Sequence, residues 1–505
     1  MGLSRRHFLK QTSVGAVSLA AGTTAPLLGF EGGSNVQGRI PPAYKQRIAF
    51  GAWINDMRNT PLPLQNWPAP QLDRQTIDSA IRAMDVQSEA GLNFIDAWGL
   101  FATYGYPPDI KSAFADKGRV RAVRELLEAA AKRKMRFMFG LGLFSWGYDQ
   151  IIKQDPVVRG LDDKGSPHPH AMCGAKEEAW AYVEKILDCA LNGFDFHGVH
   201  LESCDLGCCM CPKCAGKDGL VGYNVRLNIR AADYIKKKWP HQFVNSIPIN
   251  WVSRSAGPNT GPFTREEKRH VVELSKHIDC LMDQGWRGTF VAPDERKAFV
   301  GSLHCDYGTS GGIWLYHCVR RNRLSYFMPY PKGTASAIKE HYADGARGCM
   351  LYQGPMINPA VEVNTAVAGR LLCDTTRSAE DALAEVIELY YRPKTASAHK
   401  KLVDVYNRAE DAFFGSWPEA AKKNPHRPGE FHLEPLFGTA PQKSIYLEQC
   451  LTAKGRAQYR KGLISVLEAL AKLEDQCDDD GRIQRIRTCV ISVLIDIENI
   501  GYERV

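Results

Sequence analysis

The run Phe196-His197-Gly198-Val199-His200-Leu201-Glu202 reads as a buried strand that ends in a carboxylate. A carboxyl group held at a strand end among aromatic residues keeps its proton more tightly, which suits a general acid. Glycosidic bond cleavage needs one such group to protonate the leaving oxygen. A second acts as base, nucleophile or positioner of a substrate group. Asp283, Asp96, Asp56 and Asp205 are the candidates for that second role, and Asp283 ranks first by its strand-end position. The alternative role for Glu202 is to orient the loop behind it or to bind a substrate hydroxyl.

Other strand ends repeat the theme. Trp53 precedes Asn55 and Asp56, Trp98 follows Asp96, and Trp146 lies in Ser145-Trp146-Gly147. Asn250-Trp251, Gln284-Gly285-Trp286, Trp314-Leu315-Tyr316-His317 and Tyr352-Gln353 continue the series, and His200 lies just before Glu202. Indole faces stack on the C–H faces of a pyranose, and planar polar side chains bind its hydroxyls. One tryptophan alone caps a barrel core as readily as it binds a sugar; six at successive strand ends favour a carbohydrate.

The 15 cysteines include five in one short loop, Cys204, Cys208, Cys209, Cys211 and Cys214. Cys208-x2-Cys211-x2-Cys214 resembles a ferredoxin segment, and Cys204-x3-Cys208-x2-Cys211 the cluster motif of radical enzymes. The two overlap, so at least one is accidental. Two structural readings remain: a closed zinc knuckle of Cys204, Cys208, Cys211 and Cys214, or one or two disulfides pinning the same loop. The spacing of Cys211 and Cys214 favours the metal. His168 and His170 are further candidate ligands or site-lining residues. Hydrolysis itself requires no cofactor.

Short apolar segments alternate with amphipathic ones over residues 45 to 357, which predicts parallel βα units. Strands are expected at 48–54, 93–98, 136–144, 196–202, 243–250, 278–284, 313–317 and 348–353. Asp73 caps the first helix, Gly91 ends it, and Thr264 with Glu267 forms a capping box. Eight such units fit a (β/α)8 barrel. No glycine-rich dinucleotide loop follows the first strand, which argues against an open doubly wound sheet. Residues 358–505 read as a helical C-terminal domain, with a Pro- and Gly-rich loop at 417–442.

The first residues, Ser4-Arg5-Arg6-His7-Phe8-Leu9-Lys10, resemble the twin-arginine export signal, and a short apolar stretch follows from Val14 to Leu28. Residues 1–33 are therefore expected to be signal and linker, with the chain exported folded to the periplasm or beyond by the twin-arginine machinery. Export argues against radical chemistry, which needs a cytosolic electron supply. The 505 residues are 44% hydrophobic and 24% charged with a net charge of +8, as in ordinary globular proteins. No basic run interleaved with aromatics supports nucleic-acid binding, and no segment reads as a membrane anchor.

The segments Ala179-Trp180-Ala181-Tyr182 and Gly198 to Glu202 resemble the strand-four region of glycoside-hydrolase-like barrels. So do Gly312-Ile313-Trp314-Leu315-Tyr316, Pro329-Tyr330-Pro331 and Gly345-Ala346-Arg347-Gly348. The stretches Asn364 to Asp374 and Glu385 to Tyr391 resemble the helical extension of the same proteins. The plan is similar to α-glucuronidase and β-hexosaminidase type barrels, and to exported relatives with a C-x-C-P-x-C segment, here Cys209 to Cys214. The resemblance implies an exported glycoside hydrolase with a carbohydrate substrate. Leu201 stands where the hexosaminidase pattern has Asp, which argues against a substrate-assisted mechanism on an acetamido sugar. A glycan binder, or a metal or iron–sulfur protein on the same scaffold, is the alternative.

Overall fold

The computed structural model describes residues 42–51, 54–59, 72–102, 105–203, 207–216, 219–248, 263–283, 292–309, 327–416 and 452–499. For Asn55, Asp56 and Pro293 the description is of the backbone alone. Eight parallel strands close into a barrel. They are β1 (Gln46–Gly51), β2 (Phe94–Ala97), β3 (Arg136–Leu143), then β6 (Gly198–Ser203), β7 (Phe243–Ile247), β8 (Cys280–Asp283), β9 (Asp306–Thr309) and β10 (Gly348–Tyr352). Between β3 and β6 lies a separate antiparallel hairpin of β4 (Arg159–Leu161) and β5 (Pro167–Met172). Barrel closure pairs β1 with β10, Gln46 standing opposite Gly348.

A helix follows each barrel strand. In order these are α1 (Arg74–Glu89), α2 (Lys117–Lys132), α3 (Glu177–Gly193), α4 (Gly219–Lys238), α5 (Arg265–Leu274), α6 (Pro293–Gly301), α7 (Pro331–Ala343) and α8 (Pro359–Cys373). Four more come after, α9 (Ala379–Tyr391), α10 (Ala396–Gly415), α11 (Ala453–Ala471) and α12 (Arg482–Asn499). Asp73 accepts from the Thr76 N–H at the start of α1, and Thr264 with Glu267 makes a two-way capping box on α5. Gly91, at φ +90°, turns the chain out of α1. Among the described residues no helix is long and apolar enough to cross a membrane.

Two elements differ from expectation. The seventh barrel strand is Asp306–Thr309; the expected segment 313–317 lies outside the described residues. Asp-Tyr-Gly-Thr has little apolar character, so hydrophobic patterning passes over it. Its glycine is needed, because a Cβ on Gly308 would sit 2.5 Å from Sδ of Met282, its register partner on the adjacent β8. In addition, α8 packs against both α7 and α1 and so completes the ring, rather than opening a region beyond it.

The later helices share one continuous core with the barrel. Arg370 on α8 reaches Glu89 on α1 at 2.6 Å and Glu385 on α9 at 2.7 Å. Arg482 on α12 grips both oxygens of the buried Glu362 on α8, at 2.7 and 2.8 Å. Glu410 on α10 accepts from the Lys332 and Gly333 N–H groups at the start of α7, at 3.1 and 2.9 Å.

Burial pushes the Glu410 carboxyl up to about 7, although those two N–H groups pull it down. The folded state thus holds this proton more tightly than the unfolded chain, whose value is near 4.5. The stabilisation is fully present below that unfolded value and is lost as pH rises through the folded one. Glu410→Gln should remove a pH-dependent loss of about 3 kcal/mol between roughly pH 4.5 and pH 8. Denaturant midpoints of both proteins across that range measure it, and parallel pH profiles would contradict it.

Candidate active site

Side chains alternate along each strand, so phase decides which residues reach the barrel interior. His200 on β6 hydrogen-bonds Asp96 on β2 and meets the Phe50 ring of β1 at 5.6 Å, although β3 separates β2 from β6. Such contacts run through the interior, so all three residues point inward. Partners in register share a face. The inward phase therefore passes from His200 to Gly140, Asn245 and Cys280, and from Met282 to Gly308 and Gly348.

Two residues beyond His200, Glu202 faces inward at the C-terminal end of the fourth barrel strand and is 4% exposed. Active sites of such barrels form at this end. Its register partner is Gly142, where a Cβ would lie 1.9 Å from Trp146 Cβ. The half-buried Trp146 therefore fills the space beside Glu202. Trp98 does the same over Gly140, whose Cβ would lie 1.7 Å from Trp98 Cδ1. The Trp98 ring also meets Trp146 edge-on at 5.6 Å and His200 at 5.7 Å. Trp98 is buried and caps the barrel core.

Beneath Trp98 the floor is polar and sealed. Asp96 and His200 are fully buried, and the Asp96 carboxylate pairs with His200 Nδ1. Burial pushes the Asp96 carboxyl up, and the His200 ring draws it back down. His200 Nε2, Asp96 Oδ1, Trp98 Nε1 and both amide atoms of Asn245 have no hydrogen-bond partner among the described residues. Asp96 thus supports the floor from one layer below Glu202, and both it and His200 are closed off from the mouth.

Phase changes the standing of two expected residues. Asp283 stands one residue out of the inward series and accepts the Tyr307 hydroxyl at 2.6 Å. Tyr307 shares the outward phase, and burial pushes its hydroxyl upward, with Asp283 adding to the shift. Asp283 therefore belongs to the layer between strands and helices, not to the mouth. Gln353 follows the inward Tyr352 and faces Gln87 on α1 and Thr365 on α8, each at 3.3 Å. It braces two helices rather than a ligand. Trp53, Asp205, Asn250, Trp251, Trp286, Tyr316 and His317 lie outside the described residues, as does the Asp56 side chain. Among the described strand residues, the inward-facing acidic ones are Glu202, Asp96 and, at the opposite end, Asp306, which is bonded by Gln46 and Lys45.

The cysteines gather differently from the expected set. Cys173, Cys209, Cys211 and Cys214 bring their sulfurs within 4.8 Å of one another. Cys208 is replaced by its neighbour Cys209 and turns toward Met210 Sδ at 3.9 Å; Cys204 lies outside the described residues. Adjacent residues project in different directions, so a loop that turns Cys209 inward turns Cys208 away. Cys173 follows β5, which sequence spacing could not connect to the loop after β6. Hydrogen bonds with Cys173 and Cys214 hold the Cys209 thiol down, while those with Cys173 and Cys209 push Cys214 up. His168 accepts from the His170 and Ala171 N–H groups, and His170 Nδ1 meets Asp149 at 2.5 Å. Neither histidine is among the four clustered ligands.

No known family profile matches the chain, and no curated protein does. Solved structures do. A GH138 enzyme targeting pectin rhamnogalacturonan II superposes with a TM-score of 0.53 at 11% identity, over 90% of this chain and 56% of that one. The chain thus spans little more than half the length of that neighbour. A mutant of the Thermobaculum terrenum O-GlcNAc hydrolase gives 0.46 at 12% identity, over 88% and 80% of the two chains. The β-N-acetylhexosaminidase from Bacteroides fragilis gives 0.39 at 14% identity, over 65% and 66%. The likeness is one of fold alone, a closed eight-stranded parallel barrel.

Proposed function

We propose that this chain is an exported glycoside hydrolase acting on a polysaccharide or oligosaccharide, with Glu202 as the general acid. The observation that carries the reading is the placement of Glu202. It is an inward, almost sealed carboxyl at the end of the fourth strand, beside Trp146 and one layer above the sealed polar floor of Asp96 and His200. A carboxylic acid so shielded from water is suited to hand its proton to a glycosidic oxygen. Trp146, on the rim, offers a surface against which a sugar face can rest. The Asp96–His200 pair keeps the floor in place beneath it.

The second carboxyl is assigned to Asp56 or Asp205, which follow the first and fourth barrel strands in the sequence, rather than to Asp283. Either carboxylate would serve as base or nucleophile. The sequence Ser4-Arg5-Arg6-His7-Phe8-Leu9-Lys10 supports twin-arginine export to the periplasm or beyond. The neighbour that targets pectin makes plant cell-wall glycans a sensible first group of substrates.

The test is incubation of purified protein with plant, algal and host polysaccharides, followed by measurement of new reducing ends. Release from one class supports the reading. Retention on a glycan without release, or no effect across the panel, would replace it with a binding role.

A further inference from the structure

We infer that Cys173, Cys209, Cys211 and Cys214 hold one structural zinc ion that fastens the β4–β5 hairpin to the loop behind Glu202. The geometry fits. Cys173 Sγ lies 3.8 Å from Cys211 Sγ and 3.6 Å from Cys214 Sγ. A tetrahedral zinc with Zn–S bonds of about 2.3 Å sets its sulfurs about 3.8 Å apart. A disulfide needs about 2.05 Å, far inside these separations. Four sulfurs are soft donors that select zinc or iron over magnesium or calcium. They fill a tetrahedral shell, which marks a structural ion rather than one open to a substrate.

The backbone around the sulfurs is arranged for thiolates. The Leu161 N–H points at Cys209 Sγ at 3.4 Å, and the Met210 N–H donates back to Leu161 O at 2.7 Å. Cys211 starts the short helix Pro212–Ala215, which carries Cys214 inward. Cys173 is anchored to Val158 O at 2.8 Å. Gly160 lets the hairpin approach, since a Cβ there would come within 3.0 Å of Cys209 Cβ. Each thiol that ligates gives up its proton, and no oxidation or reduction takes place.

The ion's position gives it a task. Three ligands lie in the loop that leaves the β6 strand end, and the fourth closes the hairpin. The hairpin in turn is tied through His170 to Asp149, three residues after Trp146. One ion therefore braces both loops that flank Glu202 and Trp146. This does not depend on the reaction proposed above, because metal content is read without any substrate.

Purified full-length protein, dialysed against a chelator, should retain about one zinc per chain by elemental analysis. Cys173→Ser and Cys209→Ser should each lose it, and Cys208→Ser should keep it. If the first two fail to fold, a mercurial titration of the wild-type chain should release one zinc as its thiols react. Loss of zinc in Cys208→Ser with retention in Cys209→Ser would overturn the ligand set. Iron in place of zinc, with visible absorption, would overturn the metal. Metal-free protein with these cysteines in disulfides, or as four free thiols, would overturn the site itself.

Discussion

Glu202→Gln should lower the rate of glycan hydrolysis by about 10²–10⁴-fold, the range over which a positioned general acid contributes. Glutamine keeps the size and hydrogen-bonding ends of the side chain but cannot donate an acidic proton. The fold should survive, with a melting temperature close to that of the parent. The loss should depend on the leaving group. A sugar alkoxide needs a proton to depart, whereas a nitrophenolate does not, so an activated aryl glycoside should suffer much less than the natural linkage. Equal losses on both would show that Glu202 acts in another way. Unchanged turnover in a folded protein would remove it from the chemistry.

Gly140→Ala should destabilise the protein by about 3 kcal/mol or more, at or above the usual upper end for overpacking. The new methyl would lie 1.7 Å from Trp98 Cδ1, so the indole must leave its place between His200 and Trp146. Trp98→Ala alone should also cost about 3–5 kcal/mol, through the cavity it leaves. The double variant should be about as stable as Trp98→Ala alone, because the added methyl then occupies vacated space. Denaturant unfolding of the four proteins closes the cycle, with an expected coupling of about 3 kcal/mol favouring the pair. Additive losses would mean that the two residues do not share this space.

Much of the barrel was legible because buried parallel strands are apolar on both faces and stand out between polar helices. That same property hides the phase. In Cys280-Leu281-Met282-Asp283 both faces are buried, so nothing in the run says that Met282 points in and Asp283 out. Glu202 was readable as a strand end, and its inward direction came from contacts that cross the barrel at His200. The hairpin was hidden because Pro-His-Pro-His reads as loop. Three of the clustered cysteines lie within Cys209-Met210-Cys211-Pro212-Lys213-Cys214. The fourth, Cys173, is joined to them only by the return of the hairpin.

The seam that closes the barrel joins the first strand to the last, with Gln46 beside Gly348. No shorter piece of the nascent chain can form that seam. Until β10 leaves the ribosome, β1 and β9 remain open edges, and open edges invite pairing with other chains. The grip of Arg482 on Glu362 comes later still. Closing so long a loop makes folding slow and late, since distant contacts return their energy only after the chain entropy is lost. Chains truncated before about residue 353 should therefore aggregate rather than leave a smaller working barrel.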